Sequence, residues 1–176
     1  MPWRLGARQR APVYYGSSPR GRGGSAKWFL ARIYIYGGGG RRRGVLVTLS
    51  STLLNALVSA GYSHRCYVLA YVSRGVMTVY RVDRRVRGVR FERVGGRRVA
   101  VIAGKVYFVR KRIRSSAPPS SSDYRPLYSS AMVRLSSSAA AVDALLTAGF
   151  SHGAYLGVTL DAETGALTLE TLGGAL

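Results

Sequence analysis

Two histidines, His64 and His152, are the side chains of this chain best suited to metal binding or proton transfer. Each closes the same short phrase, AGYSH at 60–64 and AGFSH at 148–152. His64 is followed by Arg65 and by the single cysteine, Cys66, so two metal-ligating types stand close together. A zinc ion takes three or four protein ligands, and the chain has no Cys-x-x-Cys or His-x-x-His. Both phrases would have to converge in space to complete a site. Ser63 beside His64 is not a nucleophile–base pair, because neighbours on an extended chain point to opposite sides. No pair of carboxylates near either histidine suggests general acid–base work. The four glycines at 37–40 lack the Gly-Lys-Ser/Thr ending and the following helix of a phosphate loop. The residues therefore predict no enzyme, no cofactor and no metal. They predict histidines that cap backbone groups in turns.

The chemistry left is charge. The 176 residues carry a net charge of +20, from 27 basic and seven acidic side chains. Residues 1–114 hold 25 of the 27 basic residues and two of the seven acids, Asp83 and Glu92, which leaves +23 there and −3 beyond. The bland reading is a solvated, arginine-rich surface favoured by a GC-rich genome, which the count of three lysines among the basic residues fits. So high and uneven a charge repels itself, and a polyanionic partner is the usual remedy. Arginine also forks onto phosphate oxygens as lysine cannot. The expected phosphate contacts are Arg41, Arg42, Arg43, Arg65, Arg84, Arg85, Arg87, Arg90, Arg93, Arg97, Arg98, Arg110, Lys111, Arg112 and Arg114. The expected partner is nucleic acid, DNA ahead of RNA. No run approaches the ~18 apolar residues of a membrane helix, so no membrane is expected, and a homo-oligomer stays open. With one cysteine and no apolar run near residue 1, the expected location is cytoplasmic and nucleoid-associated, or the virion of a virus.

The elements that must position these charges come in two copies. Residues 45–72 lie without a gap on residues 133–160, at an offset of 88. Val45/Val133, Ser50/Ser138, Ala56/Ala144, Leu57/Leu145, Ala60/Ala148, Gly61/Gly149, Ser63/Ser151, His64/His152 and Tyr67/Tyr155 are identical. A match of this kind reads as an internal duplication. Val45, Val47 and Leu49 alternate as a half-buried strand does. Ser50 or Ser51 can cap a helix, whose apolar stripe is Leu53, Leu54, Leu57 and Ala60. Gly61 suits a left-handed helix exit. Strands follow at 66–72 and 76–82, joined by Ser73, Arg74 and Gly75 as a three-residue hairpin loop. A strand at 27–36 precedes the first copy, and 27–35 resembles 105–113, so the repeated unit begins one strand earlier.

This order of elements resembles the AbrB/SpoVT/MazE-type swapped-hairpin domain. That family runs from a strand and short helix through L-G-I-x-P-G-D into a β-hairpin. Residues 60–66 and 148–154 stand in the place of that run. The departures are a histidine for the proline in both copies, Cys66 or Ala154 for the aspartate, and a helix about a turn longer. The resemblance covers 45–82 and 133–172. It implies an interleaved dimeric β-barrel that binds DNA as a transcription regulator or antitoxin, here with both halves in one chain.

The expected plan is a flexible basic arm at 1–26, a first unit at 27–82, a basic β-hairpin at 83–104 and a second unit at 105–172. The second unit includes a Ser/Pro linker at 115–130. The fold class is mainly β with short helices, an α+β pseudo-dimer barrel plus the extra hairpin. In that hairpin Val89, Phe91, Val94, Val99 and Val101 are expected to face a core, with Arg90, Arg93, Arg97 and Arg98 outward around Gly95 and Gly96. The second unit, short of cations, is expected to complete the barrel, with Arg134 contributing little. An RNA-binding or ribosome-associated protein, or a genome-packaging protein, uses the same cations and remains open.

Overall fold

The computed structural model of the chain describes residues 28–37, 44–110 and 128–172. The basic arm, Arg41, Arg42, Arg43, Lys111, Arg112 and Arg114 lie outside the described residues, as does the linker up to 127. The strands are β1 (Phe29–Tyr36), β2 (Gly44–Leu49), β3 (Tyr67–Ser73), β4 (Val76–Val82), β5 (Val89–Val94), β6 (Arg97–Arg110), β7 (Tyr128–Leu135), β8 (Tyr155–Leu160) and β9 (Leu167–Thr171). A 3-10 turn, Ser51–Leu53, leads into helix α1 (Leu54–Ser59), and α2 is Ala139–Thr147. The protein is mainly β with two short helices, as its alternating pattern requires. Residues 128–130, expected in the linker, already belong to β7.

Eight strands close into a barrel in the order β3-β4-β9-β8-β1-β2-β7-β6, with β6 returning to β3 and every pair antiparallel. Closure leaves the wall without a free edge, which is the surest protection against edge pairing. Strand β5 is the ninth. Residues Ala100, Val101 and Ile102 of β6 pair with both β3 and β5, and Gly104 and Lys105 pair with both β3 and β7. Thus β5 and β7 follow one another along the same edge of one long strand. That strand runs unbroken through 104 and 105, where a boundary between hairpin and second unit was expected.

Hairpins from the two halves of the sequence alternate around the wall. β3–β4 is followed by β9–β8, then β1–β2, then β7–β6. Each half therefore pairs its strands with the other half: β1 with β8, β3 with β6, β2 with β7 and β4 with β9.

The interior is filled by the inward side chains of this wall, among them Ile33, Val47, Ile102, Val106, Val133, Leu156 and Leu169. Leu53 and Leu57 from the first helical segment, and Ala141 and Leu145 from α2, join the same core. Ser50 caps the first segment by accepting from Thr52 N, and Ser138 caps α2 by accepting from Ala141 N. Burying a leucine of this kind contributes about 1.5–3 kcal/mol. A second cluster, Leu69, Tyr71, Tyr80, Val99, Val101 and Ala103, lies on alternate positions of the same strands, hence on the outer face. Val86 and Val94 pack on it, so the 83–94 stretch covers that part of the barrel.

Two local expectations are corrected. Phe91 is exposed (47%), because strand side chains alternate with period two. Phe91 shares a face with Val89, while Val94 is on the opposite face. The β3–β4 turn has two residues, since Ser73 pairs with Val76. Arg74 (φ 44°) and Gly75 (φ 75°) both take positive φ, the primed geometry that matches the right-handed twist of the strands.

The two copies make matching backbone bonds, with a slip. Ile33 exchanges backbone bonds with Gly153 and Ala154, as Val106 does with Arg65 and Cys66. Ser50 N donates to Leu30 O, and Ser136 N donates to Ala103 O. Thus Ile33 answers to Val106 and Leu30 to Ala103, and 27–35 does not lie on 105–113 as expected. Pairing then sets Val47 against Ile33 and Val133 against Val106. The repeat is therefore offset by 86 in β2/β7 and by 88 from the helix cap onward. Ser50 both bonds the neighbouring strand and caps the helix. In the second copy Ser136 does the first and Ser138 the second. A slip of two preserves which face is buried, so the pattern alone does not reveal it.

Candidate nucleic-acid interface

The histidines latch one half of the barrel to the other. His64 Nδ1 accepts from Phe108 N of β6 at 3.0 Å, and His152 Nδ1 accepts from Ile35 N of β1 at 3.0 Å. Each bond needs the Nδ1 lone pair. His64 also stacks on Tyr128, and His152 meets Tyr34 and Tyr36 edge to face. Among the described residues no three His, Cys, Asp or Glu side chains gather into a metal-binding group. The preceding aromatic, Tyr62 or Phe150, is buried in both copies. The Tyr62 hydroxyl donates to Gly165 O at 2.5 Å. Burial pushes its phenol far above the usual tyrosine range, Cys66 adds to the push, and Arg81 opposes it.

Charge gathers on the outer wall where β3, β6 and β7 meet. Lys105 of β6 stands directly opposite Arg134 of β7 on one side and Tyr67 of β3 on the other. Like charges on directly opposed positions destabilise a sheet. Each cation lies over a ring: Lys105 Nζ is 5.1 Å from the Tyr67 centroid, and Arg134 Cζ is 5.6 Å from that of Tyr107. Arg85 and Arg87, from the segment after β4, face them across a groove of about 360 Å³ that Gly88, Gly104, Ser136 and Ser137 also line. No acid is among the described residues lining it. Gly104 is required there, because a Cβ would come within 2.6 Å of Arg134 O.

The corresponding place on the other half is arranged differently. Arg32 takes the position of Lys105, opposite Tyr155 and Thr48. Its guanidinium lies 4.8 Å from the Tyr155 ring and 5.3 Å from Tyr34, and its Nε donates to Gly153 O at 2.9 Å. That cation is partnered, and no second cation opposes it.

A larger groove, about 620 Å³, runs between α2 and the tip of the β5–β6 hairpin. Arg74, Arg97, Arg98 and Phe91 line it from one side, and Ala140, Asp143, Ala144 and Thr147 of α2 from the other. Arg98 Cζ sits 4.1 Å from the Phe91 centroid. Here an acid is present.

No family model matches the chain, and no curated protein or solved structure matches it.

The residues singled out by sequence are thus dispersed. Arg85 and Arg87 reach the first groove, and Arg97 and Arg98 the second. Arg90 is half-buried and paired with Glu92 at 2.9 Å, so it is not part of an outward cationic ribbon. Arg93 pairs with Arg98 on the Phe91 face, while Arg90 and Arg97 are on the other. The single ribbon face expected from sequence therefore divides in two. Arg84 and Arg110 are exposed. Arg65 is exposed in the left-handed region (φ 69°) and donates its backbone N–H to Val106 O. Sequence reasoning missed Lys105, Tyr67 and Tyr107, and set Arg134 aside. Their only signal is outward position on alternating strands, which does not say which strands are neighbours.

Proposed function

We propose that the protein binds nucleic acid, DNA ahead of RNA, through its arginine-rich outer wall, and that it acts by binding and not by catalysis. The observation that carries this reading is the opposed pair Lys105 and Arg134, faced by Arg85 and Arg87 with no acid among the described lining residues. Holding cations this close without counter-charge costs stability, and a phosphate removes that cost while gaining charge-assisted hydrogen bonds. The exposed Arg84, Arg93, Arg97 and Arg98 extend the positive surface. The preference for DNA rests on the resemblance to the AbrB-type domain. The alternation of hairpins from the two halves supports it, because two swapped-hairpin units fused in one chain would interleave in this way. On that reading the chain is its own pseudo-dimer and acts as a regulator or antitoxin, with the groove of Lys105, Arg134, Arg85 and Arg87 as its most crowded cationic site.

Binding of a random duplex, followed from low to moderate salt, tests the proposal. Four groove cations engaging phosphates give a log–log slope of about −3.6, at roughly −0.9 per contact. A flat salt dependence, or no binding of either duplex or single strand at low salt, overturns it.

A further inference from the structure

We infer that the groove between Lys105, Arg134, Arg85 and Arg87 takes a single-stranded stretch of nucleic acid, a phosphate lying between the cations and bases stacking on Tyr67 and Tyr107. This rests on the nucleic-acid reading above and deepens it.

The orientation of the rings carries the argument. A cation over a ring centroid occupies the face of the ring, so the cations mark where the faces point. Lys105 covers Tyr67 and Arg134 covers Tyr107, and all four side chains line the same groove. Each tyrosine therefore turns a face along the wall toward the cation beside it, and that face opens to the groove when the cation moves away. Cation–π attraction at an accessible site is weak. A phosphate draws each ammonium or guanidinium aside more strongly, and the vacated ring face is left for a base. Bases in a duplex are stacked on one another and offer no face to a side wall. A single strand offers both a phosphate and a free face, and a cationic groove with aromatic platforms is the general solution for it. The other half of the barrel supplies an internal control. There Arg32 is held by two rings and by Gly153 O, so Tyr155 has no mobile cation to release.

The experiment uses the full chain. Affinity is measured for an oligothymidylate of about ten nucleotides and for a duplex of equal length. Single strand is expected to bind at least tenfold more tightly. Tyr67→Leu and Tyr107→Leu are each expected to weaken single-strand binding by roughly 5- to 150-fold, the range for loss of one stacked base. The phenylalanine variants are expected to retain it. Duplex affinity should not move, and Tyr155→Leu should change neither. Should a leucine variant not fold, photocrosslinking of the unaltered protein to a 4-thiothymidine oligonucleotide decides instead. Adducts at Tyr67 or Tyr107 support the inference, and adducts confined elsewhere overturn it. Failure to bind any nucleic acid removes both readings. Binding in which duplex equals single strand, or in which the leucine variants are silent, removes this inference alone.

Discussion

The opposition of Lys105 and Arg134 makes a quantitative prediction about the protein without ligand. Single substitutions confound two effects, because Arg134→Thr relieves repulsion but also forfeits a ring contact of about 0.5–1 kcal/mol. A double-mutant cycle with Lys105→Gln and Arg134→Gln separates them, since each ring contact is lost in both arms and cancels. Side chains on directly opposed strand positions have Cβ atoms about 5 Å apart. Drawn out over their rings, the charges are taken at about 7 Å, somewhat beyond the spacing of their Cβ atoms. At that distance unit charges repel by about 0.6 kcal/mol in bulk water and about 1.2 kcal/mol at half its dielectric constant. The coupling measured by urea unfolding should therefore be unfavourable by about 0.6–1.2 kcal/mol at low salt. It should fall toward zero near 1 M salt, where the screening length is about 3 Å. The same cycle on Arg32 and Thr48 should give no repulsion. A favourable or zero coupling at low salt would show that the two cations do not oppose one another, and the anion-seeking groove would lose its basis.

Three further outcomes follow from the fold. His64→Ala strands the Phe108 N–H and should cost about 1–2 kcal/mol in unfolding free energy, the lower part of the range for a lost acceptor at a half-buried site; His64→Asn, which can place an oxygen near the Nδ1 position, should recover part of it. Tyr62→Phe should cost a similar amount by leaving Gly165 O without its donor. Because the folded phenol titrates above its unfolded value of about 10, its stabilisation is complete below that pH and is lost as pH rises beyond it. The alkaline decline in stability should therefore be shallower in Tyr62→Phe, and an unchanged pH profile would count against the burial argument. Deleting Ser136 and Ser137 together should leave a folded barrel, since Ser138 then has the place of Ser50, which performs both serine tasks in the first copy; loss of cooperative unfolding would show the proposed slip between copies to be wrong.

How far the sequence could be read follows from which contacts are local. The strand at 76–82, the cap serines and the positive φ at Gly61, Gly75, Gly95, Gly96 and Gly149 depend on near neighbours, and composition displays them. Register does not. A slip of two residues, as between β2 and β7, keeps every apolar side chain on its face; the match of 27–35 to 105–113 misses the equivalence of Ile33 with Val106 by five residues, because β-branched and aromatic strands share composition and resemble one another in the wrong register. The misplacement of Phe91 is of a different kind, because period two was available and would have separated it from Val94. For the site, the excess of arginine was plain. What was hidden is that Tyr67, Lys105 and Arg134, far apart in sequence, occupy adjacent positions on three strands.

The identities between the two copies gain a physical meaning once the barrel is closed. His64 and His152 each bond a strand of the opposite half, and Tyr67 and Tyr155 each face a cation on that same strand. Gly61 and Gly149 (φ 94° and 98°) turn the chain left-handed from the helix into these segments, a conformation in which a Cβ is disfavoured. These positions are constrained by their own unit and again by the other, so a change at any of them disturbs two hairpins at once. The residues opposite the cations on β2 and β7 carry no such double constraint. Thr48 faces Arg32 and Arg134 faces Lys105, and both point out of the barrel. The matching backbone bonds of the two copies can therefore persist while their charges differ, and one outer site becomes crowded with cations while its counterpart stays satisfied. On this argument the crowded site is where a ligand gains most, and Arg134, from the half poor in cations, is what distinguishes it.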